Sequence, residues 1–214
     1  MPPAARGRVV VAANPFSGRG PNAQRVAMLA GALRLRGLEP CVVWEPVERA
    51  AALAGVEPGQ TVIAVGGDGT VAAVINELPP GATLAVLPAG NENLFARALG
   101  FPADPVALAG GVAAGVTRAL DLGRATATAG GRTRTRLFSP PLTVSANDGT
   151  LVAVWCVVSN IPAYALGLRL VDGGRPDDGR LDWLACERRG LPALARYAWA
   201  APGALRVITW RPLT

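Results

Sequence analysis

Short apolar, mostly β-branched runs alternate with longer mixed runs through the first half of the chain. Arg8–Ala13, Pro40–Trp44, Thr61–Val65 and Thr83–Leu87 read as strands. The third is apolar from Val62 onward, as a strand buried on both faces requires. Between and after them the pattern is helical: Pro21 to about Arg36, Glu48–Ala54, Val71–Leu78, Asn91–Leu99 and Pro105–Ala114. Pro21 suits a first helical position, where its missing N–H costs nothing, and Gly37 suits a helix stop. This strand–helix alternation predicts a parallel sheet flanked by helices. In such sheets ligands bind at the carboxyl ends of the strands. Polar, glycine-rich loops fall at those ends, after the first, third and fourth strands.

The pattern changes near residue 121. Leu142–Ala146 and Thr150–Val158 read as strands joined by the turn Asn147-Asp148-Gly149. Arg180–Ala185 and Leu205–Trp210 read as further strands, with a helix at Leu191–Trp199 between them. Gly130–Arg136 alternates arginine with threonine and reads as an exposed linker or an edge strand. The expected fold class is α/β: a parallel-sheet domain with helices on both faces, residues 1–121, then a reduced, mainly antiparallel β domain, residues 122–214. No internal repeat stands out.

Composition narrows the chemistry. Of 214 residues 50% are hydrophobic and 17% charged, which argues for a folded chain with a core. All 21 basic residues are arginine, and there is no histidine. That excludes histidine bases and ligands, catalytic lysines, and the phosphate loop that ends in Gly-Lys-Ser/Thr. Carboxylates, amides, hydroxyls, arginine, backbone N–H groups and bound metal are left. The net charge of +6 is uneven: nine arginines against eight acids before residue 121, twelve against seven from there on. A basic second half suits an anionic lipid surface or is a solvated arginine-rich face. No basic–aromatic interleaving favours nucleic acid. Cys41, Cys156 and Cys186 are scattered, and an odd, unpaired set suggests a reducing cytoplasm. Val9–Ala13 is too short for a signal peptide, and no 18-residue apolar stretch exists, so no membrane span is expected.

The loop Gly66-Gly67-Asp68-Gly69-Thr70 carries the strongest chemistry. Glycines let backbone approach a ligand without Cβ clashes, and a helix N-terminus offers unpaired N–H groups and a positive dipole end. Both suit phosphate. Asp68 would repel phosphate unless a cation stood between, so it points to Mg²⁺, directly or through water; capping the helix is the plainer role for it. The loop Asn14-Pro15-Phe16-Ser17-Gly18-Arg19-Gly20 adds small polar side chains before another helix. Gly18 to Ala23 formally matches the G-x-G-x-x-A dinucleotide fingerprint, with Glu39 at the acid position. It does not start at the strand end, and Pro21 interrupts it. In Pro88-Ala89-Gly90-Asn91-Glu92-Asn93, Asn91 and Glu92 line the same crevice, and Asn91 or Asn93 can cap the next helix.

Taken in order, these loops resemble the diacylglycerol kinase catalytic domain superfamily, which includes bacterial lipid kinases and sphingosine kinases. The matching residues are Asn14-Pro15 with Ser17-Gly18, Gly66 to Thr70, then Pro88, Gly90, Asn93, Phe95 and Ala96. Asp121 and Gly123 look like the family's Asp-x-Gly crossover to a second domain. NAD kinases share the Gly-Gly-Asp-Gly-Thr loop but not the Asn-Pro-x-Ser-Gly opening. The resemblance implies a nucleotide-binding domain over 1–121 that uses ATP and Mg²⁺. Gly66, Gly67, Asp68, Gly69 and Thr70 would hold the phosphates, with Asp68 the catalytic, metal-linked acid. Asn14, Ser17 and Gly18 would shape the loop, and Asn91 stands where relatives carry a nucleotide-contacting threonine.

The resemblance continues through Val158-Ser159-Asn160-Ile161-Pro162 and into Arg175-Pro176-Asp177-Asp178-Gly179-Arg180. In relatives this Asp-Gly turn binds a structural Mg²⁺; by position the ligands are the Asp178 side chain and the carbonyls of Arg175 and Arg180. A plain Asp-Gly turn is the alternative. Two departures stand out. The stretch that relatives carry after Leu137-Phe138-Ser139 is shortened, and none of the Asp-Gly pairs at Asp68, Asp148, Asp172 and Asp178 is followed by the glutamate of the family's catalytic Asp-Gly-Glu. Phosphoryl transfer needs a group that orients or deprotonates the acceptor hydroxyl, and another carboxylate, such as Asp148 or Glu187, would have to move into place. The expected function is an ATP-dependent lipid kinase acting on a diacylglycerol-like or sphingoid hydroxyl, peripheral to the membrane. The alternative is a nucleotide-binding protein without transfer activity. The oligomeric state is left open.

Overall fold

The apolar runs form a four-stranded parallel sheet of order β2-β1-β3-β4, where β1 is Arg8–Ala13, β2 Glu39–Val43, β3 Thr61–Gly66 and β4 Thr83–Pro88. A computed structural model of the chain describes residues 7–18, 22–129, 132–138, 142–144, 155–159, 161, 175–186 and 207–210. They fall into two units, Met1–Arg118 and Ala119–Thr214. The central strands β1 and β3 are the most apolar, and each buries five successive residues. Edge strand β2 leaves Glu39 exposed and buries only Val43. Register runs Val9↔Pro40 on one side of β1 and Val9↔Thr61 on the other, and Thr61↔Thr83 between β3 and β4.

The helices are α1 Asn22–Arg34, α2 Pro46–Ala54, α3 Asp68–Glu77, α4 Leu94–Leu99 and α5 Pro105–Ala114. Alternate strand residues share a face. Val9, Val11, Ala13, Ile63, Val65, Ala85 and Leu87 make one core with Leu29 and Leu33 of α1 and Leu108 of α5. Val10, Ala12, Val62, Ala64 and Val86 alternate with these residues, so they face the opposite way, and all are buried. On α2 and α3, Leu53, Val71, Val74 and Ile75 are buried as well. Arg49 of α2 joins the two helices by a two-pronged pair to Glu77 of α3, Nε–Oε2 2.8 Å and Nη2–Oε1 2.7 Å. The hydrogen bond to Glu77 outweighs burial and holds the Arg49 pKa above its ordinary value.

In the second unit β7 Leu142–Val144, β8 Trp155–Ser159, β9 Leu181–Cys186 and β10 Val207–Trp210 form an antiparallel sheet of order β10-β9-β8-β7. They fall within or beside the four expected strands. The expected turn Asn147-Asp148-Gly149 and helix Leu191–Trp199 lie outside the described residues. Of the linker or edge strand expected at Gly130–Arg136, the edge strand is what forms, from Arg132 on, in a two-stranded sheet. β5 Gly123–Ala129 pairs antiparallel with β6 Arg132–Phe138, from Gly123↔Phe138 to Ala129↔Arg132. β5 alternates alanine with threonine and β6 arginine with threonine, so before Leu137 neither strand has the large apolar residues by which hydrophobic patterning registers a strand face.

Three helices start elsewhere than the pattern suggests, α2 at Pro46 rather than Glu48. α3 begins within the glycine loop, at Asp68 rather than Val71. α4 begins at Leu94 rather than Asn91, because the Asn93 side chain folds the preceding residues into a turn. Its Oδ1 accepts from the Gly90 N–H and its Nδ2 donates to the Gly90 carbonyl, both at 2.8 Å. Asn93 itself is left-handed, at φ 50°, a conformation asparagine tolerates better than most residues.

Candidate functional site: a junction of loops at the strand ends

The loops after β1, β3 and β4 are tied to one another by side chains. Asn14 closes its own turn by accepting the Phe16 N–H on Oδ1 at 2.9 Å. It then donates from Nδ2 to Thr70 Oγ1 at 3.1 Å, and Ser17 Oγ lies 3.4 Å from the same hydroxyl. The first and second loops therefore share one threonine. Asn22, 5% exposed at the start of α1, donates to the carbonyls of Asn14 and Ser17 at 3.0 and 2.8 Å. It fixes the loop from beneath. The sequence reading missed it; an amide just after a proline at a helix start was the available signal.

Glycines make the approach of the loops possible. A Cβ on Gly90 would stand 2.5 Å from the Gly67 Cα and 3.1 Å from the Asn93 Oδ1. One on Gly18 would collide with the Ala89 carbonyl oxygen, and Gly18 is left-handed as well, at φ 70°. Gly66 is covered by the Thr70 side chain in the same way. Gly69 differs: its φ is unexceptional and nothing lies within 4 Å of where its Cβ would be. Space there is open at the N-terminal turn of α3.

Asp68 has a structural task that its place in the motif does not reveal. Oδ2 accepts the Leu94 N–H and Oδ1 accepts the Phe95 N–H, both at 3.0 Å. Neither Asn91 nor Asn93 caps α4. The cap comes from Asp68, on the preceding loop, and so links the second loop to the third. A carboxylate has about four lone-pair sites, so two N–H bonds leave room for a water or a cation. Phe95, which follows the cap, is buried and stacks on Phe101 with ring centroids 6.3 Å apart.

Asn14, Ser17, Gly18, Gly66, Gly67, Asp68, Gly69 and Thr70 are thus brought together as expected from their motifs. In the third loop Asn91 is exposed and Glu92 half-buried. Asn93, rather than either of them, organises that loop.

Arg175, Asp178 and Arg180 lie in the second unit, in the turn before β9. Asp178 Oδ1 accepts the Arg180 N–H at 3.0 Å, and Arg175 reaches Asp177 at 3.6 Å. Asp121 clamps the turn from outside: its carboxylate accepts the Gly179 N–H at 2.6 Å, and its own N–H donates to the Pro176 carbonyl at 2.8 Å. Two steps into β9, burial pushes Asp182 above the ordinary carboxylate range; Asp178 adds to this and Arg180 offsets it. Among the described residues no cluster of three or more Cys, Asp or Glu side chains could hold a metal. An ion at this turn would rest on Asp178 and main-chain oxygens, donors that suit a hard cation. Among the described residues no helix is long and apolar enough to cross a membrane.

The chain is similar to known proteins. Over 79 residues the chain is 43% identical to the diacylglycerol kinase of Bacillus subtilis (strain 168), a stretch that spans 35% of this chain and 26% of that relative. The chain thus matches about a quarter of the curated relative's length. Two crystal structures from Bacillus anthracis str. Sterne share the fold. One, of a candidate diacylglycerol kinase, aligns at TM-score 0.70 and 21% identity, covering 95% of this chain and 82% of that one. The other, of a diacylglycerol kinase, aligns at TM-score 0.67 and 20% identity, covering 95% and 83%. The family model for the diacylglycerol kinase catalytic domain matches residues 8–125, from the first residue of β1 into β5. That match covers more than half of the 214 residues and takes in all three tied loops, and the protein belongs to this family.

Proposed function

We propose that the protein is a lipid kinase that binds Mg-ATP at the junction of its loops and transfers the γ-phosphoryl group to a lipid hydroxyl. The observation that carries this reading is Gly69. It needs no unusual φ and has no neighbour to accommodate, so a glycine there suits the close approach of a ligand to the N-terminal turn of α3. Phosphate fits that place, because the first N–H groups of a helix lack internal partners and the dipole favours anions. Gly66, Gly67 and Thr70 shape the cradle, and Asn14, Ser17 and Gly18 wall it. Asn91 and Glu92 border it. Mg²⁺, when bound, neutralises phosphate charge, and Asp68 would hold it through the lone pairs its two N–H bonds leave open. A second Mg²⁺ at Asp178 and the carbonyls of Arg175 and Arg180 would stiffen the turn that Asp121 clamps.

In the reaction the acceptor hydroxyl oxygen bonds to the γ-phosphorus, the bond to the bridging oxygen breaks, and ADP leaves. The hydroxyl proton passes to a base. Of the carboxylates that could take that role, Asp148 and Glu187 lie outside the described residues. A diacylglycerol-like or sphingoid alcohol is the acceptor class that the family suggests, taken up by a protein peripheral to the cytoplasmic membrane face.

One sequence fact favours a second reading. No Asp-Gly pair in the chain is followed by glutamate, so a nucleotide binder without transfer activity is the rival. Purified protein with Mg-ATP and mixed lipid micelles separates them. Phosphorylated lipid is the expected product. ATP binding without turnover against a panel of diacylglycerols, sphingoid bases and related alcohols would leave the rival standing.

A further inference from the structure

We propose that the β5–β6 hairpin docks the protein on an anionic lipid surface through Arg132, Arg134 and Arg136. Alternate residues of a strand share a face, about 6.8 Å apart, so these three side chains form one row. All are exposed. Their cross-strand partners are Ala129, Ala127 and Ala125, so no carboxylate stands opposite any of them. Residues 123–138 hold four arginines and no acid. Among the described residues the ion pairs are Arg49–Glu77 and Arg175–Asp177, and neither involves the hairpin. The other face of β6 carries Thr133, Thr135 and Leu137, each of which is engaged in a contact. Arg132, Arg134 and Arg136 therefore stand in one exposed row along β6, with only alanines across from them.

A row of fixed, evenly spaced cations complements a surface of repeated phosphates and carboxylates. Nucleic acid is the other polyanion, but the hairpin carries one aromatic residue, Phe138 at its end, and no series of them on which successive bases could stack. The choice of lipid rests on the lipid-kinase reading above.

The test is co-sedimentation with vesicles of phosphatidylcholine alone or of phosphatidylcholine and phosphatidylserine. The wild type should bind the second and not the first, with binding that falls as salt rises. Neutralisation as R132Q/R134Q/R136Q should weaken it by about fivefold per arginine, roughly 100-fold in all. The lysine triple R132K/R134K/R136K keeps the charge and should retain most of the binding. The control R8Q/R34Q/R118Q removes equal charge from exposed positions elsewhere and should weaken binding far less. Equal loss in both glutamine triples would show a net-charge effect and overturn the proposal. So would a wild type that ignores phosphatidylserine yet binds a mixed-sequence DNA duplex or single-stranded RNA through the same arginines. Mg-ATP titration of the same preparations reads the kinase assignment separately. Nucleotide binding with arginine-independent vesicle binding would sink the hairpin alone; arginine-dependent vesicle binding without nucleotide binding would sink the kinase reading alone.

Discussion

Asp68→Ala should lower the stability of the ligand-free protein by about 3 kcal/mol, because it strips the cap from α4 and leaves the Leu94 and Phe95 N–H groups without their carboxylate. In a unit of this size that is roughly 10 °C in Tm. Mg-ATP affinity should fall as well. The two effects have different origins. Melting without nucleotide reads the anchoring of α4; titration with Mg-ATP reads the link to the cation. Asp68→Asn keeps one oxygen acceptor and should fall between wild type and alanine in stability, while losing the charge a cation requires. If Asp68 served the metal alone, the ligand-free melting temperature would not move. If it served only as the cap, Asp68→Asn would bind Mg-ATP as the wild type does.

Gly90→Ala should be comparably damaging for a different reason. The new methyl would stand 2.5 Å from the Gly67 Cα, backbone against backbone, with no flexible side chain to yield. The loops after β3 and β4 would have to separate, at a cost of about 2–4 kcal/mol in stability. Separation would also pull Asn93 from the Gly90 backbone it grips on both sides. Chemical denaturation followed by circular dichroism measures the loss. A Gly90→Ala protein as stable as wild type would mean that the loops are not in contact.

The sheet was legible from sequence because its central strands are buried on both faces and read as unbroken apolar runs, Val9–Ala13 and Val62–Val65. The loops were legible because glycine and small polar residues cluster where such strands end. What tied the loops together was not. Asp68 caps a helix 26 residues further on, and Asn14 reaches Thr70 across 56; neither leaves a local pattern. Asn22 looks like any polar residue in a first helical turn until its two carbonyl partners are seen. The α4 start was misplaced because the Asn93 side chain competes with helix for the Gly90 backbone. The β5–β6 hairpin hid behind alternating arginine, alanine and threonine, although Gly130-Gly131 is a two-residue turn signal between its strands.

The hydroxyls, amides and backbone of this junction suit a chain with no lysine and no histidine. In the function proposed above, glycine backbone and a helix N-terminus would meet phosphate, and a carboxylate would meet a cation. Gly69→Ala tests that claim most directly, because it adds one methyl to open space at the start of a helix. The substitution should leave the ligand-free protein as stable as wild type or slightly more so, since alanine is the better helix former. Isothermal titration of the variant with Mg-ATP should then show affinity weaker by about tenfold or more, some 1.4 kcal/mol. A Gly69→Ala protein that keeps both its stability and its full affinity for Mg-ATP would contradict the placement of the phosphates at this loop.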